Sequence, residues 1–167
     1  MIEYRKATPK DAPALKEYVK TVGTETDFLS YGKDTFNISD EREARFIERF
    51  NRSKKDIMLI ACDGEKIVAN ASLEANRVLR YAHRSELSIT VLKEYWGRGI
   101  GSRIMEILIE FAKENKIEVI YLDVRQDNER AIALYQKFGF KKNCDIEKYF
   151  KIDGKYYGGS IMTLYLD

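Results

Sequence analysis

One stretch of this 167-residue chain restricts its fold more than any other: VLKEYWGRGIGSRIMEILIEF, from Val91 to Phe111. A β-type run, Leu87-Ser88-Ile89-Thr90-Val91, passes through a short polar turn into three alternating glycines, Gly97, Gly99 and Gly101. Ile100, Ile104, Leu108 and Phe111, with Ile107 beside them, then recur at helical spacing. Strand, tight loop and amphipathic helix therefore follow one another with almost no linker. Glycine permits φ > 0 and, lacking Cβ, lets an anion approach the backbone closely. The first turn of the helix adds unpaired N–H groups and the positive end of the dipole. Such a unit is a ready seat for a diphosphate, and it points to a phosphate-bearing cofactor.

The loop excludes some cofactors. A P-loop would continue as Gly-Lys-Ser/Thr, but Ser102 and Arg103 follow the last glycine. A dinucleotide fold would want the motif after an early strand, with an acidic residue about twenty positions on. Asp123 stands near that distance, yet the motif falls in the second half of the chain, after several strands. The dinucleotide reading stays open on that coincidence alone.

The next segment narrows the choice. VIYLDVRQDNERAIALYQKFGFKK reads as a strand, Val119 to Val124, a polar turn, and a short helix from Asn128 to about Lys137 that stops at Gly139-Phe140. Together the two segments resemble the GNAT superfamily of N-acetyltransferases. The acetyl-CoA loop of that family has the form Gln/Arg-x-x-Gly-x-Gly/Ala, which falls here on Trp96-Gly97-Arg98-Gly99-Ile100-Gly101. The family's following strand, Asn and helix ending Leu-Tyr-x-x-x-Gly-Phe are matched in order by Asn128, Leu134, Tyr135, Gly139 and Phe140. The similarity runs from about Glu86 to Phe140. It departs at Trp96, where the family usually has Gln or Arg. The amides of Gly97 to Ser102 remain, and Arg98 or Arg103 can supply charge.

The resemblance implies acetyl-CoA as cosubstrate and an amine acceptor, with Tyr135 protonating the departing thiolate. Asn128, the natural N-cap of its helix, would also hold the CoA arm. The pantetheine arm would lie between two splayed parallel strands, Leu87 to Val91 and Val119 to Val124, facing the backbone of Ile89, Thr90 and Val91. Two carboxylates are candidates for the general base. Glu86 shares a strand face with Ser88 and Thr90 by period two, and Asp123 lies on the next strand. The acceptor would meet the variable parts of the chain: Gly23 to Asn37, Asn76 to Tyr81 and the last hairpin. Asp27, Phe28 and Tyr31 could receive an amine through charge and aromatic contact. The rival from another class is a CoA-binding regulatory module without turnover, which Trp96 mildly favours.

Composition sets the outer bounds. The 19.5 kDa chain, 44% hydrophobic, is long enough for one substantial core, so residues 1–167 read as a single domain. The 29 basic and 27 acidic residues leave a charge of +2 and are interleaved, as in DEREARFIER, which argues against nucleic acid. The apolar runs are too short for a membrane span. MIEYRKATPKD carries no apolar signal region, so a cytoplasmic location is expected. Cys62 and Cys144 have no CxxC partner and read as small core residues in strands. His83 reads as a strand-edge residue, and a homodimer is left open.

Along the chain, Ile2 to Lys6 reads as a strand. Thr8 then caps a helix to about Val22, with Pro9 at its first position, and Ser39 caps another from Asp40 to about Asn51. Asp56 to Asp63 and Lys66 to Ala75 form a hairpin over Asp63-Gly64. A third antiparallel strand follows from about His83 to Val91. Lys141 to Ile152 and Tyr156 to Leu166 form a last hairpin over Asp153-Gly154. The order β-α-α-β-β-β-α-β-α-β-β predicts an α/β (α+β) fold of GNAT type, with a mixed, mostly antiparallel sheet flanked by helices.

Overall fold

The computed structural model describes residues 1–32 and 37–167. The part of the expected acceptor loop at positions 33–36 lies outside the described residues. The elements occur in the predicted order, and local chemistry accounts for their ends. Strand β1 (Ile2–Lys6) leads to Thr8, whose N–H donates to the Asp11 carboxylate at 2.7 Å. Arg5 clamps the same carboxylate through both guanidinium nitrogens at 2.8 and 2.7 Å. That pairing holds the Asp11 carboxyl down at about 2. After this 3-10 turn, helix α1 (Ala12–Glu25) runs past Val22, so the expected loop from Gly23 begins in helix. Helix α2 (Asp40–Arg52) starts where the Ser39 hydroxyl accepts the Arg42 N–H at 3.2 Å.

Strands β2 (Ile57–Asp63) and β3 (Lys66–Ala75) turn at Gly64, whose φ of 62° is left-handed. Strand β4 (Arg84–Val91), helix α3 (Ile100–Glu114), strand β5 (Val119–Arg125) and helix α4 (Glu129–Lys137) carry the two motifs. Strands β6 (Lys141–Ile152) and β7 (Lys155–Tyr165) complete one seven-stranded sheet in the order β1-β2-β3-β4-β5-β7-β6. Every neighbouring pair is antiparallel except β4 and β5. That parallel pair is short: Arg84, Ser85 and Glu86 face Val119, Ile120 and Tyr121, and no pairing follows. Leu87 to Val91 and Leu122 to Arg125 diverge, as expected of splayed strands.

The core lies where both sheet faces meet helices. Strand β2 is buried from Ile57 to Cys62, and α3 buries Ile100, Ile104 and Leu108 from its predicted stripe. Two expectations are corrected. Cys144 is exposed, because β6 is the outermost strand and nearly all of it faces solvent, while Cys62 is buried as expected. His83 is not at a sheet edge, since its carbonyl accepts from Glu118 N at 2.9 Å and Val119 N at 3.2 Å, between two interior strands. Among the described residues no helix is long and apolar enough to cross a membrane.

One buried group opposes the fold. Glu43 on α2 is only 2% exposed, and its Oε2 has no hydrogen-bond partner among the described residues. Burial pushes its carboxyl pKa up, with Lys16 only partly offsetting the effect. The folded state then holds the proton more tightly than the unfolded chain. Stability is highest below the ordinary glutamate range and falls as pH rises through the raised folded value. Glu43→Gln is expected to raise Tm at pH 7, with the gain shrinking towards pH 4, as thermal denaturation monitored by circular dichroism would show.

Candidate active site

The divergence of β4 and β5 opens a cavity of about 660 Å³, lined among others by Thr90, Gly99, Ser102, Asn128, Arg130 and Tyr135. Its floor is the glycine loop. Gly97 and Gly99 have φ of 76° and 78°, and a Cβ on either would meet no protein atom within 4 Å. Both line the cavity, so the open space beside them is cavity space, where their missing side chains leave the backbone accessible. Gly99 is also the N-cap of α3, so the first-turn amides of Ile100, Gly101 and Ser102 lack intrahelical acceptors. Gly101 serves another purpose. Its φ is ordinary, and a Cβ there would come within 3.2 Å of Leu134 Cδ2, so its smallness lets α3 approach α4. The cradle suits a diphosphate by shape, by donors and by dipole.

The loop's own arginines turn away. Arg98 lies 4.6 Å over the Tyr95 ring, and Arg103 pairs with Glu106 at 2.8 Å. Neither lines the cavity. Trp96 does, and its indole N–H donates to the Val91 carbonyl at 2.8 Å. Among the described residues the cation that does line it is Arg130, 4.5 Å above the Trp96 ring, while the Lys137 ammonium donates to the cavity-lining Ser102 hydroxyl at 3.0 Å. Sequence reasoning missed Arg130. The available signal was a cation in the first turn of a helix, where the dipole disfavours it.

Asn128 caps α4, its side chain accepting the Ala131 N–H at 3.3 Å while also lining the cavity. Tyr135 is 7% exposed and packs against Phe140 at 5.7 Å between ring centroids. Burial drives its phenol far above the ordinary tyrosine value, and the charge of Asp123 adds to the effect. A phenol so placed stays protonated.

Glu86 and Asp123 do not line the cavity; they share the neighbouring sheet face. Glu74, Glu86 and Tyr121 stand side by side across β3, β4 and β5, with Asp123 two positions further along β5. Burial raises the Glu86 carboxyl first, and the negative charges of Asp123 and Glu74 raise it further. Burial also raises Asp123, its own backbone N–H partly offsetting this. Tyr149 on β6 feels both Asp123 and Glu86, which puts a phenol ring beside the acidic face.

The three expected acceptor residues are differently engaged. Arg125, 3% exposed at the end of β5, pairs with Asp27 at 3.0 Å and Asp127 at 2.7 Å. Its guanidinium lies 4.6 Å from the Phe28 ring centroid and 3.8 Å from that of Tyr157. Asp27 and Phe28 therefore already engage an internal cation, while Phe28 also lines the cavity and the Asp27 carboxylate stays half-exposed. Tyr31 is bonded to Thr90, and burial pushes its phenol up to about 12. The Tyr18 hydroxyl reaches the same threonine at 2.8 Å. Neither Arg125 nor Tyr18 stood out in the sequence, because each owes its role to partners distant along the chain.

A strand–glycine loop–helix cradle beside two parting parallel strands, followed by a capped helix with an inward tyrosine, defines a class of acyltransferase fold. The family model described as the acetyltransferase (GNAT) family matches residues 24–140, and the chain belongs to that family. The acetyltransferase of GNAT family from Streptococcus pneumoniae has the same fold with a TM-score of 0.96 at 32% identity, covering 99% of this chain and 100% of that one. Spermidine N(1)-acetyltransferase of Escherichia coli (strain K12) is 29% identical over 130 residues, 77% of this chain but 62% of that protein. The chain thus matches less than two thirds of that relative's length. A GNAT superfamily phosphinothricin acetyltransferase from Sinorhizobium meliloti, solved in complex with AcCoA, shares the fold with a TM-score of 0.86 at 18% identity, covering 99% of this chain and 88% of that one.

The Arg125 cluster ties the segment after α1 to β5 and β7, so its loss should be felt as stability. Arg125→Met is expected to cost about 2 kcal/mol, the scale of hydrogen bonds to charged groups. Asp27→Asn, at a half-exposed carboxylate, should cost less. Urea denaturation of the two variants checks both the size and the order.

Proposed function

We propose that the protein is an acetyl-CoA-dependent N-acetyltransferase that passes the acetyl group directly to a primary amine in a ternary complex, with residues 1–167 acting as one catalytic domain. The observation that carries this reading is the cavity itself. A glycine cradle for phosphates lies at one end, the unpaired end of β4 from Ile89 to Val91 runs along it, and a buried phenol lines its wall. On this reading the amides of Gly97 to Ser102 receive the diphosphate, Asn128 contacts the arm, and the backbone of Ile89, Thr90 and Val91 lies along the pantetheine.

The chemistry then divides among this chain's residues. The acceptor nitrogen attacks the thioester carbonyl carbon, the C–S bond breaks, and Tyr135 gives its proton to the leaving sulfur. The proton still carried by the attacking nitrogen restores the phenol. Before attack, an ammonium acceptor must lose one proton, and Glu86 or Asp123 takes it directly or through water. Their raised carboxyls suit them to hold it. Neither cysteine is placed to form a covalent acyl-enzyme: Cys62 is buried in β2 and Cys144 is exposed on β6, and neither lines the cavity.

The acceptor we infer carries more than one positive charge. On a sheet face flanked by Tyr121 and Tyr149, Glu86 feels the negative charges of Asp123 and of Glu74, the latter already paired with Arg49 at 2.8 Å, and a cationic amine relieves that repulsion. The relation to a spermidine N(1)-acetyltransferase supports a polyamine as the first acceptor to test. Thiol release from acetyl-CoA, measured with spermidine, amino acids and peptides, tests the assignment. Thermal stabilisation by CoA without turnover on any amine would instead indicate a non-catalytic CoA-binding module.

Two outcomes test the residue roles. Tyr135→Phe removes only the hydroxyl, so CoA affinity should survive while kcat falls about a hundredfold, the scale of general-acid catalysis. Wild-type turnover would make Tyr135 a packing residue. For the base, kcat/KM should fall as pH drops through the raised carboxyl value of the working residue. Glu86→Gln should lose most at low pH and recover partly as pH rises and free amine becomes available. An unchanged profile in Glu86→Gln, together with that behaviour in Asp123→Asn, would give the role to Asp123.

A further inference from the structure

The position that the family pattern gives to Gln or Arg holds Trp96, and the structure leaves that end of the loop without a cation. The Trp96 N–H is spent on the Val91 carbonyl, Arg98 stacks on Tyr95, and Arg103 pairs with Glu106. Across the cavity mouth, Arg130 stands in the first turn of α4, where the helix dipole opposes a positive charge. Among the described residues no carboxylate forms an ion pair with it, although Asp127 and Glu129 also line the cavity. Its guanidinium rests 4.5 Å over the Trp96 ring. The ring attracts the cation through its negative face and limits the freedom of a long side chain. It leaves the N–H fork of the guanidinium for an oxyanion, the geometry in which arginine binds phosphate.

We propose that Arg130, steered by the face of Trp96, grips a phosphate of CoA from α4 and so replaces the cationic or amide side chain missing from the loop. The charge has moved from one wall of the cavity to the other. Trp96 is then a positioning residue that acts through Arg130. The inference rests on the acetyl-CoA reading of the cavity, and the wild-type measurement keeps the two apart.

The experiment is calorimetric titration of CoA and of dephospho-CoA, which lacks the 3′-phosphate. The proteins are wild type, Arg130→Gln, Arg130→Lys, Trp96→Leu and the Arg130→Gln/Trp96→Leu double variant. Unliganded Tm is measured for each. Arg130→Gln is expected to weaken CoA binding about tenfold, as loss of a charge-assisted contact would, with unliganded Tm unchanged. Arg130→Lys should restore part of the affinity. Trp96→Leu should weaken binding less than Arg130→Gln does, and the double variant should bind no more weakly than Arg130→Gln alone. An equal loss for both ligands identifies the diphosphate as the gripped group; a loss seen only with CoA identifies the 3′-phosphate. Unaltered affinity of Arg130→Gln for both ligands would overturn the proposal. Additive losses in the double variant would remove Trp96 from it. A wild-type protein that binds neither ligand would instead overturn the cofactor reading on which it stands.

Discussion

The site depends on where two parallel strands stop pairing. Strands β4 and β5 share only the stretch from Arg84 to Glu86 against Val119 to Tyr121. The sheet survives the gap because each strand keeps its other neighbour: β4 pairs with β3 as far as Val91, and β5 with β7 as far as Arg125. Backbone groups facing the gap still need partners. The Trp96 indole supplies one, at the Val91 carbonyl, and on the proposed function an extended pantetheine arm supplies others. The same parting lets the N-terminal ends of α3 and α4 reach one cavity, and Gly101 keeps the two helices close by leaving room for Leu134.

Charge is distributed along this opening in a consistent direction. At the loop end, free helix amides, two left-handed glycines and Arg130 offer donors to an anion, beside the carboxylates of Asp127 and Glu129. On the sheet face beyond it stand Glu86 and Asp123, with Glu74 paired to Arg49; burial first, and then the charges of Asp123 and Glu74, raise the Glu86 carboxyl. Tyr135 belongs to the cavity, yet its phenol feels Asp123, so it stands electrostatically between the two. Such a gradient suits a donor that brings phosphates and an acceptor that brings ammonium groups. The cluster of Arg125 with Asp27, Asp127, Phe28 and Tyr157 anchors the segment after α1 to the sheet beside this opening. It sets one guanidinium against two carboxylates, one of which, Asp127, lines the cavity.

The elements were legible in the chain because their signals are local. The stripe Ile100, Ile104 and Leu108, the caps Thr8, Ser39 and Asn128, and the Asp-Gly turns each act within a few residues. Periodicity and capping chemistry therefore placed the helices and strands nearly where they occur. Two spaced motifs, the glycine loop and Leu-Tyr-x-x-x-Gly-Phe, also carried the family. Where local signals ran short, the reading slipped. Cys144 sits in an alternating run that says strand but not outer strand, and His83 precedes a strand whose neighbours arrive from both sides.

By itself, then, the sequence determined the order of elements, the glycine cradle and the tyrosine that faces it, since each is written in residues adjacent on the chain. Only the tertiary structure decided the uses of the charges. Asp27 looked free until Arg125, 98 positions away, came into hydrogen-bond reach of its backbone. Arg103 looked available until it paired with Glu106, and Arg130 acquired a place only by lying over Trp96. A side chain's charge is a local fact. Whether it is spent or available depends on which distant groups the fold brings within a few ångströms, and no periodicity along the chain encodes that.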